Sequence, residues 1–495
     1  MILLDDTPES LAKSRLPTRR SESVDEEYAA PPPAYPGSFS SSQPPDVEAH
    51  AGALHPSIGH PRHDAERRKH APRRYLKALG IGALIWVGIG FLVRSAFAVV
   101  HWNRSTFSQG QTADHLDRPH RISTLPRPID GKVERCVSAS SVIQLLDSRA
   151  ESVVSFDLPL YADVLYIFGR GALSRGTITF MPMEGERPRS GFPDRVVKVD
   201  ITTTYQAKFA LDAVNFCLLE RLAGQHGIGI LTPSGEDHDL DLLDFKIDVR
   251  FPLPAQGLWP SPVNSFETNL PLFRHNMHDL NGIVKFDSVS FISRNAPMHI
   301  EYLVANEATV TTSNAVIKGS FNVTRSLFVQ TSNQDIDAAV ELGNRGWDAT
   351  KLTLLNQNGA IDARLSLVSQ HMGRGNEYDV VARTENGRLS LPISSQPVYS
   401  KLLVDAHTSN APASVKVPIT FEGRIEARTS NADATVGCDP LAKDPTGNRR
   451  LHECMFEQRS VESVNGSVRW PQLYGNVGGK VSVVSSNSPV SVTSG

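Results

Sequence analysis

At 495 residues, 40% of them apolar, the chain is long enough for two or three domains with real cores. A formal net charge of −3, with no domain-wide concentration of basic residues, argues against a nucleic-acid binder and leaves membrane, wall and protein partners open. Averages hide the organisation, because composition changes sharply along the chain.

Residues 1–75 are rich in Pro, Ser, Ala and charge and almost free of aromatics, so they bury too little apolar surface to offset chain entropy. They read as a disordered cytosolic tail. Within them Pro32, Pro33 and Tyr35 form a Pro-Pro-x-Tyr ligand candidate for WW domains, which grip a preformed polyproline helix. Such motifs recruit HECT-type ubiquitin ligases in fungi; incidental low complexity is the competing reading. Residues 76–102 follow as a transmembrane helix. Ala78 to Val93 is uncharged, and the apolar run reaches Trp102 if Arg94 snorkels to the far interface. Arg62, Arg67, Arg68, Lys69, Arg73, Arg74 and Lys77 precede the helix, whereas Arg104 stands nearly alone after it. The positive-inside rule then puts the N-terminus in the cytosol and the remainder outside or in a lumen, a type II single-pass topology.

Two features beyond the helix agree with an oxidising compartment. The four cysteines are Cys136, Cys217, Cys438 and Cys454. Cys438 and Cys454 flank one polar insertion and would make a local staple, leaving Cys136 with Cys217; four free buried thiols are the alternative. The sequons at Asn103, Asn322 and Asn465 are glycosylation candidates on the same side, with Asn103 close to the bilayer.

A stalk is expected over 103–132 and a β-rich lobe over 133–284. "SVVSFDLP", "VLYIFGRG", "GTITFMP", "RVVKVDITTTY" and "DFKIDVRFPLP" alternate apolar and polar residues between Gly/Pro signals. "LDAVNFCLLERLAG" (211–224) reads as a short helix or a buried strand. The acidic run 235–244, with Glu236, Asp237, His238, Asp239, Asp241 and Asp244, lacks EF-hand spacing and reads as an exposed loop. His275 and His278 are three apart, but no further zinc ligands can be placed beside them.

From 285 to 495 a repeat emerges once Asn is set at position zero. The corners fall at Asn295, Asn314, Asn333, Asn358, Asn386, Asn410, Asn431, Asn465 and Asn487. Four residues before each stands an apolar residue, from Phe291 and Val310 to Val461 and Val483; two before stands Ser, Thr or Asn. Three after comes another apolar residue, from Met298 and Ile317 to Val468 and Val490, and then a polar–apolar alternation. Two half-buried strands per unit, stacked coil on coil, fit this period. Asn tolerates left-handed backbone and bonds its own turn, so it can mark a corner without Gly. Stacking would place the Asn and Ser/Thr columns in ladders pairing between rungs. The β-rich lobe would continue into this stack or cap it, because open ends need covering.

These Ser/Thr-x-Asn turns between alternating strands resemble the putative adhesin domain family of bacterial and fungal membrane proteins. The chain departs from that pattern in preferring Ala, Gln or Ser after the Asn. The resemblance implies a fungal surface protein whose all-β ectodomain is a β-solenoid; it transfers no functional residue. Asp337 and Asp362 would stack on neighbouring rungs with Asp335 on the same face, where β-helix lyases and hydrolases keep carboxylates. Solvated surface charge is the better reading, since Lys318 and Ser390 stand on the adjoining rungs. No catalytic motif, metal set or cofactor fingerprint is present. The expected function is therefore non-enzymatic adhesion or interaction, with wall polysaccharide or a surface protein as partner. The alternatives are a membrane-anchored carbohydrate-active enzyme on a β-helix and an adaptor recruiting a WW-domain ubiquitin ligase through its tail.

Overall fold

A computed structural model describes residues 124–138, 143–144, 150–185, 196–206, 208–233, 243–255, 257–346, 348–370, 375–471 and 478–495. The expected tail, the expected membrane helix, most of the expected stalk, Pro32, Pro33, Tyr35, Asn103 and the acidic run up to residue 242 lie outside the described residues. Among the described residues, no helix is long and apolar enough to cross a membrane.

The described chain is all-β, with 27 strands joined in one sheet. The first stretch holds β1 (Lys132–Val137), β2 (Ile143–Gln144), β3 (Ala150–Pro159), β4 (Val164–Arg170), β5 (Arg175–Pro182) and β6 (Val196–Tyr205). A single helical turn, α1 (Lys208–Asp212), then leads into β7 (Asn215–Glu220), β8 (Gln225–Leu231) and β9 (Leu243–Phe251). Residues 211–224 thus supply both structures open to them, a helix end followed by a strand. The middle stretch holds β10 (Ser261–Asn269), β11 (Leu272–Met277), β12 (Val284–Ile292), β13 (Met298–Thr311), β14 (Ile317–Gln330) and β15 (Ile336–Asn344). It continues with β16 (Thr350–Leu355), β17 (Ile361–Ser369), β18 (Glu377–Arg383), β19 (Leu389–Ser395), β20 (Lys401–His407) and β21 (Ala413–Val417). The last stretch is β22 (Gly423–Arg428), β23 (Ala434–Cys438), β24 (Glu453–Ser460), β25 (Ser463–Arg469), β26 (Gly479–Val484) and β27 (Val490–Ser494).

These strands form two ladders in which every step is parallel. One runs β8–β4–β10–β12–β13–β14–β16–β18–β20–β26–β22. The other runs β9–β5–β11–β13–β14–β15–β17–β19–β21–β27–β23. Strands β13 and β14, 14 residues each, serve both ladders. Their mutual register shifts between Ile300 and Leu303 and again between Ala305 and Glu307, and bulges of this kind let one strand turn from one ladder into the other.

Alternation decides which side chains go inside. Columns four before and three after the corner are buried on eight of the nine expected rungs, including Phe291, Val310, Val329, Leu354, Ile317, Ile336, Ile361 and Leu389. Together they form one continuous core cluster from Val154 to Val492. Parallel ladders need this, because a parallel pair is stable where its inner face is covered. Core side chains also shrink along the stack. Phe180, Phe245, Phe251, Phe266, Phe286 and Phe291 pack edge-on or stacked in the early rungs, whereas Ala382, Ala406, Ala413, Ala427 and Ala434 line the late ones.

Sequence order and spatial order part at both ends. Strands β4 and β5 lie between β8–β9 and β10–β11, although β8 and β9 come later in the chain. Strands β26 and β27 likewise slot between β20–β21 and β22–β23. Antiparallel strands close the ends: β1–β7–β8 and β2–β3–β6–β9 at one, β22–β25–β24 at the other.

One expected corner is overturned. Asn465 sits inside β25, opposite Glu426 and Glu457, and its rung partner Val461 is 61% exposed. The Ser-x-Asn pattern there belongs to an antiparallel hairpin, in which polar and apolar residues alternate just as they do in a rung.

Candidate functional site

The eight remaining corner asparagines all lie on one edge and are exposed. Their side-chain amides form an unbroken column. Asn314 Nδ2 donates to Asn295 Oδ1, and the same bond recurs along the spatial order 295, 314, 333, 358, 386, 410, 487, 431, at 2.5–2.8 Å. The exchange of the last two numbers reflects the insertion of β26–β27. Each interior amide spends one N–H and one oxygen lone pair within the column. It keeps one of each for other partners.

Two residues before each Asn, the small polar column points inward and is buried. Its groups do not bond one another, as the ladder expectation had it; they reach the neighbouring rung's corner carbonyls. Thr331 Oγ1 donates to Ala315 O (3.0 Å), Thr384 to Gly359 O (3.1 Å), Thr408 to Gly387 O (3.2 Å) and Thr429 to Ser488 O (3.0 Å). At the rung that substitutes Asn356, its Nδ2 reaches Gln334 O at 2.8 Å. These carbonyls turn inward at a corner and have no strand partner there, so a buried donor satisfies each.

The expected reason for Asn at the corner is also corrected. Among the described residues the non-glycine residues with positive φ are Tyr399 and Arg449, neither of them a corner. Asn is there for its amide, which ties rung to rung. Where Gly follows the Asn, close approach explains it: a Cβ on Gly387 would lie 1.8 Å from Gly359 O, and one on Gly359 would lie 2.2 Å from Gln334 O.

Beside the amide column a groove of about 350 Å³ opens between successive corners. Gln330, Gln357, Arg383, Glu385, His407 and Ser409 line it, so that amide, cation, carboxylate, imidazole and hydroxyl converge. Arg383 is tied to Asp405 at 2.6 Å. Spacing between Asn anchors revealed this edge in the sequence. The groove did not show, because its residues are outward positions of different rungs with no common type.

The other singled-out residues are placed as follows. Asp337 and Asp362 do pair in register, but Lys318 (3.4 Å) and Arg364 (3.0 Å) flank Asp337, and Arg388 lies 3.9 Å from Asp362. Asp335 accepts the Ala360 N–H at 2.8 Å. These carboxylates are matched by cations and backbone in the manner of an exposed charge face. His275 is buried, with Nε2 2.9 Å from Thr268 Oγ1 and Nδ1 3.0 Å from Phe273 O, and burial lowers its pKa to about 4. His278 is exposed and lies 3.3 Å from Glu301. The two histidines serve different partners.

Both expected cysteine pairs are bonded, Cys136 with Cys217 between β1 and β7, and Cys438 with Cys454 across the insertion. Asn322 lies mid-strand in β14 and donates through Nδ2 to Glu341 (2.7 Å) and to the Tyr302 hydroxyl (3.3 Å). Both amide hydrogens are engaged within the fold there. Asn465 is half-buried within its three-stranded patch.

Residues 306–439 match the family model described as Domain of unknown function (DUF7330). No curated protein matches the sequence. Two solved structures are similar. One is a putative cell adhesion protein from Clostridium sporogenes ATCC 15579, at 7% identity and TM-score 0.14, covering 69% of this chain and 100% of the other. The second is a putative adhesin from Parabacteroides distasonis ATCC 8503, at 10% identity and TM-score 0.26, covering 69% and 96%. At those scores the likeness carries no argument about this chain's function.

Proposed function

We propose that the two parallel ladders are the faces of a β-solenoid, and that this solenoid is a non-enzymatic interaction module. It is carried outside the cell or in a lumen, in a fungal setting, on the type II membrane anchor of residues 76–102. The ligand class is a wall polysaccharide. The observation that carries the reading is the exposed amide column: one spare donor and one spare acceptor per rung, repeating at ~4.8 Å, beside a groove of mixed polar groups. Polymers of hydroxylated rings present donors and acceptors at a fixed repeat, and a rigid array meets them without ordering cost on the protein side. The cation-matched aspartates favour binding over hydrolysis, since a glycosidase pair needs one carboxyl held protonated beside another that is free.

Residues 115–495 form one compact unit and can be tested as a fragment on isolated glucan, chitin and mannan. Saturable retention on one polymer is expected, kept in Asp335→Ala/Asp337→Ala/Asp362→Ala and weakened at least tenfold in Gln357→Ala/Glu385→Ala. A folded fragment retained on none of the three removes the polysaccharide reading. For the anchor, protease added to intact cells should remove a C-terminal tag and spare an N-terminal one.

A further inference from the structure

The insertion between β23 and β24 contains a cluster that adhesion does not explain. Cys438 closes the end of β23, an edge strand of one ladder; Cys454 lies in β24, the edge of the antiparallel extension of the other. His452 stands between them, with Nδ1 3.8 Å from Cys438 Sγ and 3.9 Å from Cys454 Sγ. The imidazole is 4% exposed, and its Nε2 is buried with no hydrogen-bond partner.

The ring is held from behind. It stacks on Trp470 with centroids 4.5 Å apart, and Trp470 Nε1 donates to Ile419 O at 2.9 Å. Arg450 lies over the indole ring, 5.6 Å from its centroid, and is locked by Asp444. The Arg450 guanidinium in turn holds the Asp444 carboxyl far below the usual carboxylate range. A disulfide alone requires no imidazole equidistant from both sulfurs, stacked on an indole and hydrogen-bonded to Asp439 O.

We propose that the Cys438–Cys454 disulfide is the oxidised form of a Cys₂His zinc site. Tetrahedral Zn²⁺, with Zn–S of ~2.3 Å and Zn–N of ~2.0–2.1 Å, sets its ligand atoms roughly 3.5–3.8 Å apart. The imidazole nitrogen is already near that distance from both sulfurs, so the sulfurs must part from each other and Asp439 O must move off Nδ1. Reduction by a dithiol supplies two electrons and two protons and leaves two thiols. Zn²⁺ then displaces both thiol protons, and the Nδ1 proton, now donated to Asp439 O at 2.6 Å, moves to Nε2. Water fills the fourth position, as in three-ligand zinc sites. The clasp between the two ladder edges thus exists in a covalent form and a metal form, chosen by redox state.

The test uses the full chain, reduced with a phosphine, freed of reductant, and alkylated with iodoacetamide with and without Zn²⁺. Peptide mapping then reads each cysteine separately. Zn²⁺ should slow alkylation of Cys438 and Cys454 at least tenfold and leave Cys136 and Cys217 unchanged. Co²⁺ should add one equivalent with a thiolate-to-metal charge-transfer band. His452→Phe keeps the ring stack and removes the nitrogens, and should abolish the protection. No protection of Cys438 and Cys454, equal protection of all four cysteines, or protection that survives His452→Phe would each overturn the proposal.

Discussion

Thr408 and Asn386 hold the same edge by different means, and their loss should differ in size. The Thr408 hydroxyl is fully buried and satisfies Gly387 O. Thr408→Val keeps the shape but strands that carbonyl, so a loss of about 1–3 kcal/mol is expected. Asn386→Ala removes two bonds from an exposed column, where water replaces them, and should cost about 1 kcal/mol. Urea titration of the two variants checks the order; a larger loss at Asn386 would contradict this division of labour. His275 adds a pH signature. Its folded pKa, lowered by burial to about 4, lies below the unfolded value near 6.5. The stability it contributes is complete above pH 6.5 and is lost as pH falls towards 4, because the unfolded chain takes the proton first. The full effect is about 3 kcal/mol. Wild type should therefore lose more thermal stability than His275→Phe between pH 7 and 4, and parallel curves would refute the assignment.

At the scale of elements, the inserted rungs matter most. Strands β26 and β27 come last in sequence order, yet each has a parallel neighbour on both sides. A terminal strand at an edge frays; one in the middle of a ladder is as protected as its neighbours. Truncation before Gly479 should expose β20, β21, β22 and β23 together. Hydrogen exchange should show all four losing protection while β12–β17 keep theirs. If only the final residues exchange faster, the inserted arrangement is wrong. The repeat's period was legible here because apolar alternation on two strands per unit survives any stacking order. The order itself was not, since β22–β23 and β26–β27 carry the same pattern and either fits beside β20–β21. Asn465 failed for the same reason: an antiparallel hairpin and a rung look alike over ten residues.

For the whole molecule, the proposed ligand runs along the amide edge and over the groove beside it. Affinity should then rise with the number of rungs engaged, as multivalent contacts do. Short oligosaccharides of the retained polymer should compete at least tenfold less well, per chain, than long ones. Equal competition by a disaccharide would confine binding to the groove at Gln357 and Glu385 and remove the contribution of further rungs.

Taken alone, the sequence determined the strand alternation and eight of the nine expected corners, because each is a local or periodic property of residue type; it left the cysteine pairing open between two disulfides and four free thiols. The tertiary structure decided the rest. It set which rung lies on which, brought Arg364 and Arg388 beside the aspartates, and put His452 between two sulfurs. It also gave the corner asparagines one another as partners. The asparagine pairs join residues 19 to 77 positions apart along the chain, and no local pattern encodes that meeting.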